Sequence, residues 1–179
     1  MYGPRLQGSL VTLRPPLPQD AERFVEWLSD ADVTRTLGNQ SAPTLEYERE
    51  WLAQRRDEDT SVFWCVEYEG RHVGSTGIWL IDWTNRHAKT GTVIGDKSVW
   101  NRGIAGEAMR LRTRYAFETL DLHKLYSGYL DGNEASWRAQ RSAGYREVGR
   151  HREHFFRAGR WIDEVLTEVL RSDWEAKQQ

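Results

Sequence analysis

Gly103 and Gly106 stand three residues apart where a helix should open, in VIGDKSVWNRGIAGEAMRLRTRYAF, residues 93–117. Glycine inside a helix costs about 1 kcal/mol relative to Ala, so a turn or a close approach must require these two. A strand, a glycine turn and a helix in succession present free backbone N–H groups to an anion. The first four helix amides have no intrahelical partner, and the helix dipole adds positive charge there. Gly103 would permit the turn, while Ala105 and Gly106 keep side chains off the ligand. The segment lacks the Gly-Lys-Ser/Thr ending of a P-loop and the G-x-G-x-x-G dinucleotide pattern. A plain strand-to-helix turn also accounts for the spacing.

A second constellation lies in NEASWRAQRSAGY. Asn133, Ser136 and Gln140 fall at i, i+3 and i+7, on one face of a helix. A hydroxyl there could serve as a donor, whereas an amide is no useful acid. Asn133 and Ser136 are equally explained as polar groups capping the first helical turn. Cys65 is the single cysteine, set in the apolar run SVFWCVEY, and reads as a core thiol rather than a nucleophile. His72, His123, His151 and His154 are scattered, and His151-x-x-His154 lies in an expected strand, where i and i+3 point to opposite faces. No metal site is expected.

The elements that must position these residues follow from periodicity. SLVTLRP (9–15) alternates as a first strand and stops at Pro15-Pro16. LPQDAERFVEWLSDAD spaces Phe24, Trp27 and Leu28 helically, with Asp20 as its expected N-cap. VTRTLGNQSAP reads as a loop, and the helix after it starts at a Thr44 cap. TSVFWCVEYEGRHVGSTGIWLIDWT splits at Glu69-Gly70 into a hairpin, and RHAKTGTVIGD adds a third strand. The long helix GIAGEAMRLRTRYAFETL, a strand KLYSGYL and a helix closed by Gly144 come next. Two last strands, YREVGRHREHFF and RWIDEVLTEVLRSDW, join at Ala158-Gly159. The order is β-α-α-β-β-β-α-β-α-β-β, an α/β chain read as one domain over residues 1–179.

Composition narrows the partners. A net charge of −2 argues against nucleic acid or an anionic membrane as a general partner. No apolar run approaches the roughly 18 residues that a spanning helix needs. With no basic-then-apolar leader and one cysteine, the reducing cytoplasm fits.

WNRGIA, from Trp100 to Ala105, resembles the acyl-CoA-binding motif Gln/Arg-x-x-Gly-x-Gly/Ala of the GNAT acetyltransferase superfamily. It matches at Gly103 and Ala105 and departs at Trp100, as the ribosomal-protein alanine acetyltransferase-like branch also does. IGDKSVWNRGIAGEA, YAFETLDLHKLY, SAGYREVGRHREHFFRAGRWIDEV and the opening GSLVTLRPPLPQDAERFVEWLSD extend the similarity over nearly the whole chain. The resemblance implies the GNAT fold, a mixed, mostly antiparallel sheet splayed between the strand ending near Gly95 and the strand KLYSGYL, flanked by helices. It implies acetyl-CoA as co-substrate, with the pantetheine arm on the backbone of Val93, Ile94 and Gly95. The pyrophosphate would lie on the segment Asn101, Arg102, Gly103, Ile104, Ala105 and Gly106, with Asn133, Ser136 and Gln140 also near the cofactor.

The implied reaction is N-acetylation by direct attack of an amine, either a protein N-terminus or a small amine. HREHFFRAGRWID is similar to polyamine-acetylating relatives as much as to ribosomal ones. Such transfer needs a base and a donor to the leaving sulfur. Many relatives carry Tyr at the position of Gln140, so Ser136 is the candidate donor. Lys89 stands where relatives often place Glu, which would disfavour polycationic acceptors. His87, two residues earlier on the same strand face, is the candidate base. Asp82 and Trp83 could line the acceptor mouth. Departures at Gln140 and Lys89 also allow a non-catalytic acyl-CoA-binding module on the same fold, and a homodimer is compatible with the sequence.

Overall fold

The computed structural model describes residues 1–38 and 41–177. β3 (Val62–Tyr68) shows how the sheet divides the core. Val62, Trp64 and Val66 enter one buried cluster, and Phe63 and Cys65 enter another. That is the period of two expected when both faces of a strand are covered. The first cluster contains Ile104, Ala108, Leu111 and Phe117 of α4 (Ile104–Glu118). The second contains Phe24 and Trp27 of α1 (Asp20–Leu28) and Leu52 of α3 (Leu45–Asp57).

Eight strands form one sheet in the order β1-β2-β3-β4-β5-β6-β8-β7. β1 is Leu6–Gln7, β2 is Thr12–Arg14, β4 is Arg71–Asp82 and β5 is His87–Ile94. β6 is Lys124–Leu130, β7 is Arg146–Arg157 and β8 is Arg160–Leu170. All pairings are antiparallel except β5 with β6. That parallel pairing covers only His87–Lys89 against Lys124–Tyr126. Beyond it the two strands part, as the sequence resemblance implies.

The hairpin turns at Glu69-Gly70 and Ala158-Gly159 fall where expected, each pair with positive φ. Thr44 caps α3 through its side chain, and Gly144 follows α5 (Glu134–Ser142) with φ 97°. Several expectations change. A short helix α2 (Ala31–Thr34) takes the start of the expected loop, whose Asn39 and Gln40 lie outside the described residues. The last strand stops at Leu170 and gives way to α6 (Arg171–Glu175). The strand expected over 9–15 is only β2, Thr12–Arg14, and a two-residue β1 that the expected order lacks precedes it, because the chain between them turns around a carboxylate. Glu107 accepts from Ser9 N, Leu10 N and Val11 N at 2.9, 2.7 and 2.7 Å and from the Ser9 hydroxyl at 2.6 Å.

Asp20 is not the N-cap of α1. Gln19 holds that place without a side-chain bond, and Asp20 turns inward from the first helical residue. Arg14 donates to both its oxygens, at 2.8 and 2.9 Å. Leu17 N donates at 2.7 Å, the Cys65 thiol at 3.3 Å, and His72 Nδ1 lies 3.0 Å away. Burial alone would raise the Asp20 carboxyl, but the Arg14 and His72 bonds outweigh it and hold it well below the usual range. Burial, with Asp20 beside it, pushes the Cys65 thiol far up, consistent with a core thiol.

His151 and His154 do not point to opposite faces. β7 bulges between His151 and Phe155, where three residues, Arg152 to His154, oppose the single Asp163 of β8 and Glu153 takes φ 52°. The extra residues reset the alternation and bring the two imidazoles to 5.0 Å between ring centres, both beside Glu164. His Nδ1/Nε2 and carboxylate oxygens of the three then lie within 4.8 Å of one another.

Candidate active site

The fork in the sheet is held open by side chains rather than left slack. Ser127 Oγ donates to Thr90 O at 2.9 Å, where the next ladder bond would form. Thr90 Oγ1 is bonded to Tyr145 Oη at 2.9 Å. Arg112, 1 % exposed, reaches up from α4 and donates to Gly91 O, Thr76 Oγ1 and Thr92 Oγ1 at 2.8, 2.9 and 2.9 Å. These partners are all neutral, so a buried cation is spread over the strand just past the branch point.

Alternation along β5 decides which backbone groups face the gap. Gly95 N donates to Val73 O, which fixes Gly95, Val93 and Gly91 toward β4. Thr90, Thr92 and Ile94 therefore face the gap. Ile94 O is already taken by Trp100 Nε1 at 2.8 Å, which gives the departure at Trp100 a structural role. Of the three expected backbone positions only Ile94 directs its N–H into the gap, alongside Thr92, while Val93 and Gly95 turn theirs toward β4. Val93 still lines the cleft through its side chain, while Gly95 does not.

The turn ahead of α4 has the geometry the anion requires. Gly103 sits at φ 80° as the N-cap, and no side chain bonds the first turn. A Cβ at Gly103 would meet only Leu10, at 3.9 Å, so backbone conformation rather than space demands glycine. Glu107 N is the first to bond back, to Gly103 O. The amides of Ile104, Ala105 and Gly106 thus lack intrahelical acceptors. At Gly106, which lines the cleft, the structure adds a second constraint: a Cβ there would lie 2.7 Å from Ser142 Oγ of α5.

Asn101 to Gly106, Thr92, Ile94, Asn133, Ser136 and Gln140 all line one cleft of about 1260 Å³. Asn133 caps α5, accepting from Ser136 N at 3.1 Å. Gln140, 3 % exposed, donates from Nε2 to Ser136 Oγ at 3.1 Å, while Thr167 Oγ1 donates to its Oε1. With a lone pair engaged, the Ser136 hydroxyl hydrogen is left to point elsewhere.

The acceptor residues expected from sequence are only partly brought in. Lys89 lines the cleft; His87, Asp82 and Trp83 do not. Asp82 instead accepts from Asn85 N and Nδ2, both at 2.8 Å, closing the β4–β5 turn. Its bonds to Asn85 hold its carboxyl below the usual range. A one-residue bulge falls at Leu80, φ 53°, and His87 lies where β5 is still paired to β6, opposite Lys124, at the closed end of the fork. His87 lies 3.7 Å from Asp82 and packs against the Tyr126 ring.

Residues the sequence reading passed over take that end. Phe24, Trp27, Trp51, Phe63 and Trp79 form an aromatic wall. Trp51–Phe63 and Phe24–Phe63 ring centres lie 5.0 and 6.0 Å apart. Glu48 is 6 % exposed, lines the cleft, and has neither hydrogen bond nor ion pair among the described residues. Burial pushes its carboxyl up, with no opposing contribution. Its sequence signal was a carboxylate on the apolar face of α3, between Leu45 and Trp51–Leu52.

A family model described as Acetyltransferase (GNAT) domain matches residues 11–146. The chain belongs to the GNAT acetyltransferase family. Among similar proteins is "Putative ribosomal N-acetyltransferase YdaF" of Bacillus subtilis (strain 168), 27 % identical over 94 % of this chain and 95 % of that one. "Probable N-acetyltransferase YjcK" of the same organism is 29 % identical over 95 % and 99 %. The fold is shared with spermidine N-acetyltransferase from Vibrio cholerae, solved with CoA and spermine, at TM-score 0.86 and 20 % identity, covering 94 % and 99 % of the two chains. This GNAT chain is thus an N-acetyltransferase. Among its described residues, no helix is long and apolar enough to cross a membrane.

Proposed function

We propose that this GNAT chain transfers an acetyl group from acetyl-CoA to a primary amine, a protein N-terminus or a small amine, by direct attack. The observation that carries it is the convergence on one cleft of the unpaired β5 edge and the uncapped start of α4. The open edge suits the amides of a pantetheine arm, and the orphan N–H groups suit its pyrophosphate. The co-substrate supplies an activated acyl carbon; everything else falls to the chain. Thr92 and Ile94 orient the arm, and the amides of Ile104 to Gly106 hold its charge. The new N–C bond forms as the C–S bond breaks; the amine's proton leaves to solvent, and the sulfur takes one through the Ser136 hydroxyl, which solvent reprotonates. Ser136, oriented by Gln140, donates toward that sulfur. Gln140 is a positioning residue here, too deeply packed for a Tyr to replace it without overpacking. The test is acetyl-CoA with a panel of amines and a thiol-release readout. Release with at least one amine is expected; no release from any amine overturns the proposal.

Two variants probe the roles. Ser136→Ala should lower kcat about 10–100-fold with little change in acetyl-CoA affinity. Unchanged kcat would leave protonation of the sulfur to water. Lys89→Glu should raise kcat/KM for spermidine, more at low than at high ionic strength, by removing a like charge from the cleft wall. Equal activity of both enzymes on spermidine at low salt would show that Lys89 extends to solvent.

A further inference from the structure

Glu48 poses a physical problem. The residue is 6 % exposed, its carboxylate has no protein partner among the described residues, and its desolvation is a cost that nothing in the fold offsets. Packing does not require a carboxylate there: Leu45, Trp51 and Leu52 of the same helix already pack on the second core cluster. The other two carboxylates lining the cleft are satisfied. Asp32 lies 3.0 Å from Lys97 Nζ, and Glu164 lies 3.0 Å from His151 Nδ1. Glu48 thus lacks a cation that the protein does not supply.

We infer that Glu48 receives the ammonium of the acceptor, and that the acceptor carries one cationic centre on an apolar body. This rests on the acetyltransferase function proposed above. The single charge follows from counting. One unpaired carboxylate faces the cleft, while Arg35 and Lys89 also line it and would repel a second ammonium. The apolar body follows from the wall around Glu48. Trp51 stands one helical turn further on and packs edge-on to Phe63, which also contacts Phe24 and Trp79. Aromatic faces attract an organic cation and bury its hydrocarbon at the same time. An alkylamine, an arylalkylamine or a peptide with an apolar first residue has this form; a polyamine does not. A carboxylate made more basic by burial is also suited to take the proton the ammonium must lose before attack.

The experiment reads binding without turnover. Native protein and Glu48→Gln, both saturated with CoA, are titrated with hexylamine, 1-hexanol and spermidine. Fluorescence of the cleft tryptophans Trp27, Trp51 and Trp79 reports occupancy. Hexylammonium should bind Glu48→Gln at least 10-fold more weakly than native, 1-hexanol equally to both, and spermidine no tighter than hexylamine. Equal hexylamine affinity in the two proteins overturns the inference, as does tighter binding of spermidine. Melting temperature supplies the second measurement. A carboxylate kept for a ligand costs the apo fold, so Glu48→Gln should melt at or above native; a fall shows that Glu48 serves the structure and overturns the assignment. CoA saturation is established first by calorimetry. Its failure would count against the acetyltransferase function alone, because the amine titrations are also run without CoA.

Discussion

Gly103→Val should abolish measurable acetyl-CoA binding in a protein that still folds. At φ 80° a β-branched residue is strained, costing roughly 1–3 kcal/mol, and the chain relieves it by rotating the turn. That rotation swings the amides of Ile104, Ala105 and Gly106 out of convergence. Three charge-assisted bonds to a pyrophosphate are then lost or bent. At about 1.4 kcal/mol per tenfold, a 100-fold or greater loss of affinity is expected. The fold survives because nothing packs against the site of the new side chain except Leu10 at 3.9 Å, and Ile104 still anchors the helix in the core. Calorimetry gives the answer: unchanged affinity in a folded Gly103→Val protein would remove the phosphate from this turn.

Asp20→Asn should be the most destabilising single exchange among the polar residues described. It leaves Arg14, whose side chain is 13 % exposed, facing a neutral amide at the junction of β2, β3 and α1, with Glu67, 3.1 Å from its Nε, as its remaining carboxylate. Removing one partner of a buried pair costs about 3–5 kcal/mol where the other is left alone; with Glu67 still on Arg14, the lower end, about 3 kcal/mol, is expected, a fall in Tm of roughly 6–10 °C. The pH dependence has a definite sign. The carboxyl is held below its unfolded value, so its stabilisation is complete above pH about 4 and fades as pH falls below it. Native protein should lose urea resistance on that acid limb, and Asp20→Asn should show a shallower loss. Parallel acid limbs in the two proteins would show that Asp20 is not the carboxylate responsible. Glu107 and Glu168, also held low, keep some of the slope in both.

What the sequence showed and what it hid separate along one line. Local signals were legible. Thr44 caps its helix through a bond three residues on, Glu69-Gly70 turns the hairpin, and Gly103 marks a left-handed residue, all within a few residues of chain. The residues of the motif, Asn101 to Gly106, line the cleft together for the same reason, since strand, turn and helix start are contiguous. The hidden features join distant segments. Asp20 reads as a cap until Arg14, His72 and Cys65 are seen around it. The alternation rule failed at His154 because a bulge in β7 is set by its register against β8, not by its own residues. Counting along a strand places His87 with Lys89, and the hairpin end suggests Asp82 and Trp83, but only the pairing of β5 with β6 shows that His87 sits at the closed end of the fork. Glu48 was overlooked because only the assembled cleft shows that nothing answers its charge.

A β-sheet ordinarily exposes two edges, one at each end, and this one has two more where β5 and β6 part. Edges of that kind invite other chains to add to them. The outer edge β7 is defended by its bulge and by a run of Arg, His and Glu side chains. The inner pair is defended mainly by width, since Ser127 and Trp100 take the carbonyls at its ends and leave room for one narrow chain. An apo protein that loosens on heating loses that defence and bares both lips together. Co-substrate at 100 times its dissociation constant adds about 2.7 kcal/mol to the folded state and closes the lips as well. Turbidity on heating should therefore be delayed by CoA further than its shift in melting temperature alone explains, tying the chain's resistance to self-association to the cell's supply of its own substrate.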